Sequence, residues 1–194
     1  MTRHIAIFFT LYSLNTFGQL PTFKSNVKSK ESKQSIVKRN FSSKFEYIIS
    51  YYAHSYWSQD QTYIIFGHDG REWRVLEWTI EMDKQKQIKK QRTRKLKYSQ
   101  GQFGEFMALM SRCTICNLEQ GPLNLNKKDN GDGTETSIFV SDGLFEQIEL
   151  ISPKSHRISN SYAANSLQDE YPTSDRQSFI DFRNQLLKVV SSKS

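Results

Sequence analysis

"TYIIFGHDGREWRVLEWTIEM", residues 62–82, carries the decision about fold class. Two runs rich in aromatic and β-branched residues flank Asp69-Gly70, and Asp-Gly readily takes the positive φ values of a type I′ turn. The stretch therefore predicts a β-hairpin. On the outgoing arm Leu76, Trp78, Ile80 and Met82 share one face by period two, while Trp73, Val75, Glu77 and Glu81 share the other. The first face, apolar throughout, is the better core candidate.

Strand signals continue on both sides of this hairpin. Residues 45–57 are rich in aromatic and β-branched types, with Phe45, Tyr47, Ile49, Tyr51, Ala53 and Trp57 on one face and Tyr52, His54 and Tyr56 on the other. Downstream, "KQKQIKKQRTRKLK" (84–97) has eight basic residues and no acid. Read as a helix it offers only Ile88 and Leu96 for docking, which is too thin an apolar face. Read as the next antiparallel strand, it sets Arg and Lys opposite Glu77 and Glu81.

Beyond 98 the period changes. Ser99 and Gln102 have capping-box spacing, and Phe103, Phe106, Met107, Met110 and Cys113 follow at helical intervals. "TSIFVSDGLFEQIELIS" (136–152) reads as a second hairpin turning at Asp142-Gly143. In "PTSDRQSFIDFRNQLLKVV" (172–190), Ser174 and Gln177 repeat the capping spacing, and Phe179, Phe182, Leu186 and Val190 line one helical face. Hairpins rather than strand–helix alternation imply an α+β domain: an antiparallel sheet of about five to six strands with two amphipathic helices packed on one face.

The first residues point to export. A basic start at Arg3, a short apolar centre and the close on Thr16-Phe17-Gly18 describe a signal peptide over 1–18, cut between Gly18 and Gln19. The expected destination is the periplasm or the extracellular medium. The apolar run is shorter than the roughly 20 residues of a membrane span, and no other segment approaches that length. Residues 19–40 are poor in large apolar side chains and read as a flexible basic lead-in. Residues 41–194 make a single domain long enough for a hydrophobic core.

The formal charge of +7 comes from 27 basic and 20 acidic residues. Setting aside Arg3 and the lead-in, with its six basic residues and Glu31, leaves 20 basic against 19 acidic. A domain so nearly neutral argues against nucleic acid as its partner. The charge is divided rather than absent: outside residues 84–97 it has 12 basic against 19 acidic residues.

Local motifs for chemistry fail when every required residue is asked for. "KKDNGDGTE" (127–135) resembles a calcium loop, but aligning Asn130, Asp132 and Gly133 puts Lys128 first and Phe139 twelfth, where carboxylates are needed. It reads as a turn. Cys113 and Cys116 have redox-motif spacing, yet they close a helix, where the dipole opposes a thiolate. In an exported protein they are a disulfide candidate. His54, His68 and His156 lack helical metal-pair spacing, so no metal site and no cofactor is expected.

What remains is surface. Lys89, Lys90, Arg92 and Arg94, with Trp73 and the polar-tipped rings of Tyr52, His54 and Tyr56, are the candidate binding residues for a protein or glycan outside the cytoplasm. A lysine-guarded sheet edge accounts for the same basic run. Two alternatives stand beside a binding module: an exported hydrolase, on sugars, using dispersed carboxylates and His54, and a polyanion binder.

Overall fold

A computed structural model describes residues 20–55, 58, 60–85, 87–112 and 114–191. The expected signal peptide lies outside the described residues, as do Tyr56 and Cys113. The strands are β1 (Tyr47–His54), β2 (Asp60–His68), β3 (Trp73–Met82), β4 (Ile88–Lys95), β5 (Lys127–Asp129), β6 (Glu135–Ser137), β7 (Phe145–Ile151) and β8 (His156–Tyr162). Six of them form an antiparallel sheet in the order β4-β3-β2-β1-β7-β8, and β5 and β6 form a separate ribbon. The chain thus builds four strands outward from β1 and later returns to β1's other side with β7 and β8. The fold is α+β.

The hairpin of 62–82 is present, with a different turn. His68 pairs with Trp73, so Asp69 to Glu72 form the loop. Asp69 Oδ1 accepts from the N–H groups of Arg71 and Glu72, each at 3.0 Å. At this loop only Gly70 takes a positive φ, 92°, so the two left-handed residues of a type I′ turn are not required.

Both faces of the sheet are apolar. Tyr47, Ile49, Tyr51, Phe66, Trp73, Val75, Ile148 and Leu150 share one cluster with Phe103, Phe106 and Met110 of α3 (Gln100–Arg112) and Phe179, Phe182 and Leu186 of α6 (Ser174–Ser191). Phe106 bridges the layers, 5.2 Å from both Phe66 and Phe182 between ring centroids. The opposite face, with Ile48, Tyr52, Ile65, Trp78 and Ile80, clusters with Val37, Phe41 and Phe45. The Leu76–Trp78–Ile80 face is therefore one of two core faces, and the larger cluster takes Trp73 and Val75. Phe45 precedes β1 and leaves the face of Tyr47: its ring lies over Gly67, where a Cβ would come within 2.4 Å of it.

Three further expectations meet a different outcome. Residues 20–40, expected as flexible, contain α1 (Ser29–Gln34) and most of α2 (Ile36–Phe41). Few apolar side chains suffice here because Val37 and Phe41 dock on a sheet that already offers Trp78, whose ring lies 5.1 Å edge-on from Phe41. Second, Asp142-Gly143 is no hairpin tip. β7 pairs with β8 across a turn closed by Ser152 and Ser155, and residues 156–160 form most of that last strand. Ser159 and Ser161 are buried on one face of it and His156 on the other, and a strand whose buried positions are polar has no hydrophobic alternation to announce it. Third, the cap of α6 sits one residue earlier, where Thr173 Oγ1 accepts from the Arg176 N–H at 3.1 Å. Among the described residues no helix is long and apolar enough to cross a membrane.

Candidate functional site

β4 is an edge strand, and along it every residue but Ile88 is exposed. Its register sets Arg94 opposite Glu77, Arg92 opposite Thr79 and Lys90 opposite Glu81, with a bulge beginning at Met82. The ion pairs follow from that register. Arg94 Nη2 lies 2.9 Å from Glu77, and Lys89 and Lys90 reach the two oxygens of Glu81 at 2.9 and 3.6 Å. These contacts hold the Glu81 carboxyl below its usual range, first through the hydrogen bond from Lys89, and raise Lys89 in return. Arg92 meets no acid among the described residues. The result is a row of cations held in line by two glutamates of the neighbouring strand, with one guanidinium uncommitted.

The aromatic candidates do not join this row. Trp73 is 6 % exposed, with its ring against Phe103 at 5.6 Å and His68 at 5.2 Å. Tyr52 is buried and stacked on Tyr63 at 4.6 Å, and burial pushes its phenol up to about 12. Registers carry Tyr52 through Tyr63 and Trp78 to Thr93, so Tyr52 and His54 share the face of Thr93, opposite to that of Arg92 and Arg94.

His54 has its own setting. With Asp142, Gly143, Phe145 and Tyr162 it lines a pocket of about 310 Å³. Among the described residues its buried Nδ1 has no hydrogen-bond partner, and its ring stacks on Tyr52 at 6.0 Å. Among the described lining residues Asp142 is the one carboxylate, whereas hydrolysis of a glycoside by the usual route asks for two. Close by in sequence, Phe139 stands 90 % exposed.

Sequence reasoning missed two buried polar systems. His156 Nε2 lies 2.5 Å from Glu149 Oε1 and its Nδ1 2.8 Å from Ser32 Oγ. Ser35 donates to Glu149 Oε1 at 2.6 Å and Lys38 Nζ to Ser32 at 2.7 Å. The hydroxyl–imidazole–carboxylate order is that of a nucleophilic triad, but Ser32, His156 and Glu149 are 7, 2 and 1 % exposed. Their contacts tie α1 and α2 to β7 and β8. On the other face Arg183 Nη1 donates to both oxygens of Glu146 at 3.0 and 2.9 Å, and the Tyr51 hydroxyl donates to the same carboxylate at 2.7 Å. No local spacing signals either system, because each joins residues from distant segments.

The glycine-rich stretch 130–134 is the tip of the β5–β6 ribbon. Gly131 and Gly133 take φ of 79 and 85°, and Asp129 and Asp132 each accept from a backbone N–H two residues on. Among the described residues no group of three or more His, Cys, Asp or Glu is placed to hold a metal ion. Cys116 is buried at the end of a 3-10 turn, Thr114–Cys116; its candidate partner lies outside the described residues. Comparison with protein-family models, with curated proteins and with solved structures gives no match.

Proposed function

We propose that the protein is an exported interaction module that binds an acidic protein or glycan partner through β4. The observation that supports this most directly is the row of exposed cations aligned by Glu77 and Glu81. Holding long side chains in place before binding removes part of the entropy cost of association, so the glutamates serve the row as positioning groups. In this reading α3 and α6 form a layer on one face of the sheet and leave β4 uncovered. Titration of the purified protein with fluorescent poly-L-glutamate and with a sulfated glycan tests it. Changing Lys89, Lys90, Arg92 and Arg94 together to Ser should abolish binding of whichever probe the native protein takes. Equal binding by both proteins overturns the assignment of β4.

Export carries its own tests. The secreted protein should have the mass of a chain beginning at Gln19. A disulfide between Cys113 and Cys116 should leave it unlabelled by iodoacetamide until it is reduced. Two labelled thiols without reduction exclude the bond.

A further inference from the structure

The two borders of the sheet are finished differently. On β8 the outward backbone groups are those of residues 156, 158, 160 and 162, and side chains from elsewhere reach them. The Ser25 hydroxyl accepts from the His156 N–H at 3.0 Å. The Asn26 amide accepts from the Ile158 N–H at 2.9 Å and donates to the Ile158 carbonyl at 2.7 Å. The Gln120 amide repeats this at Asn160, and Asn124 accepts from the Tyr162 N–H at 3.2 Å. Each amide imitates one peptide unit of a further strand, so that border is closed.

On β4 the alternation can be fixed from one bond. The Leu96 N–H donates to the Val75 carbonyl at 2.9 Å, and in an antiparallel ladder residues with inward and outward groups alternate. Arg94 and Arg92 therefore bond to β3, and the N–H and C=O groups of Gln91, Thr93 and Lys95 point out. Among the described residues none of these outward groups has a partner. The ladder is regular there, running without a shift from Leu76–Lys95 to Glu81–Lys90. Three consecutive outward positions form a template for one more strand.

We propose, resting on the reading of β4 as the contact surface, that the partner is an extended acidic peptide segment that adds to β4 as a seventh strand. Charge decides its composition. A second copy of the chain pairing through β4 would set Lys and Arg against Lys and Arg, which cross-strand pairing disfavours. Lysines on an edge repel basic strands for the same reason, and a neutral strand would have to cover their charges without pairing them. A segment with Glu or Asp at every second position places its acids beside Lys90, Arg92 and Arg94, and Arg92 is free to take one. The residues between them face Gln91, Thr93 and Lys95, where β-branched side chains fit a strand. Binding thus combines a main-chain ladder with a charge test that rejects other strands.

The probe is the peptide acetyl-Thr-Glu-Val-Glu-Val-Glu-Val-Thr-amide, set against two copies, each with a different alternating set of amides N-methylated. In one of the two the ladder-facing set is blocked, while charge is unaltered in both. Strand addition predicts that one methylated copy loses about tenfold or more in affinity and that the other does not. It also predicts slowed exchange of the Gln91, Thr93 and Lys95 amides with the unmodified peptide. Thr93→Pro should weaken binding while retaining all the cations, and its thermal midpoint shows whether it is folded. Equal affinity for all three peptides, abolished in the Lys89/Lys90/Arg92/Arg94→Ser protein, overturns strand addition and leaves the β4 charge reading in place. No binding of any peptide, of poly-L-glutamate or of the sulfated glycan overturns both. A dimer that protects the same three amides without peptide overturns the choice of partner.

Discussion

β8 and β4 border the same sheet, and they solve the problem of an edge by opposite means. β8 is polar inside and closed outside: its buried His156 and Ser161 meet partners from α1 and from the segment after α3, and its outward groups are taken by Ser25, Asn26, Gln120 and Asn124. β4 is exposed on its surface, carries Lys and Arg, and leaves its ladder open. The contrast separates two meanings of a polar strand. In β8 polar residues are structural, since a buried polar group without a partner costs far more than a satisfied one returns. In β4 they are solvated, cost the fold little, and remain available to a partner.

The largest expected effect breaks the closed border from inside. His156→Ala removes the imidazole between Glu149 and Ser32 and leaves the Glu149 carboxylate buried with hydroxyl donors only. Breaking one side of a buried pair of this kind costs about 3 to 5 kcal/mol. Urea unfolding of the variant measures it. A loss below about 1 kcal/mol would mean that the network is not what fastens α1 and α2 to β7 and β8.

A smaller effect is expected from opening the same border from outside. Asn26→Ala and Gln120→Ala each remove a pair of bonds to β8's outward peptide groups, at a cost of about 1 to 2 kcal/mol each. The exchange of the Ile158 and Asn160 amides should quicken in step, and the double variant should self-associate through the newly bared strand. Amides as slow as in the native protein would show that the two side chains cover the edge without sealing it. In the native protein, Gln91, Thr93 and Lys95 should already exchange fast while Arg92 and Arg94 exchange slowly.

The same contrast explains what the chain reveals before its structure is known. β3, β4 and their ion pairs are legible because the hydrophobic alternation of 73–82 sets the register and Glu77 and Glu81 then select Arg94, Lys89 and Lys90. Phe103, Phe106, Phe179 and Phe182 are legible because helical spacing brings them to one side. β8 is not. Its support comes from side chains distant along the chain, with Asn26 lying 132 residues from Ile158, and no window of sequence contains both ends of such a bond. The lead-in misleads for a related reason: composition counts the large apolar residues of 19–40, Val37 among them, as too few to order a segment, but it cannot count Ser32, Ser35 and Lys38, whose hydroxyls and ammonium join the Glu149–His156 network. The candidate site divides along the same line. Its cations stay at the surface, while Trp73 and Tyr52, chosen for aromatic character, are drawn into the two cores that flank the sheet.

The smallest expected effect lies on the open border, and it sharpens the comparison most. Changing Lys89, Lys90, Arg92 and Arg94 together to Ser deletes the ion pairs that Lys89, Lys90 and Arg94 make to β3, yet exposed pairs contribute about 0 to 1 kcal/mol each. Ser also relieves the mutual repulsion of four cations on one strand. Urea unfolding should therefore change by no more than about 1 kcal/mol, against several for the single substitution at His156. If the fourfold change instead costs as much as His156→Ala, the cations of β4 hold the sheet together, and their alignment by Glu77 and Glu81 is a device of stability rather than of binding. If stability is kept while the acidic peptide is lost, the two borders differ in purpose as well as in build.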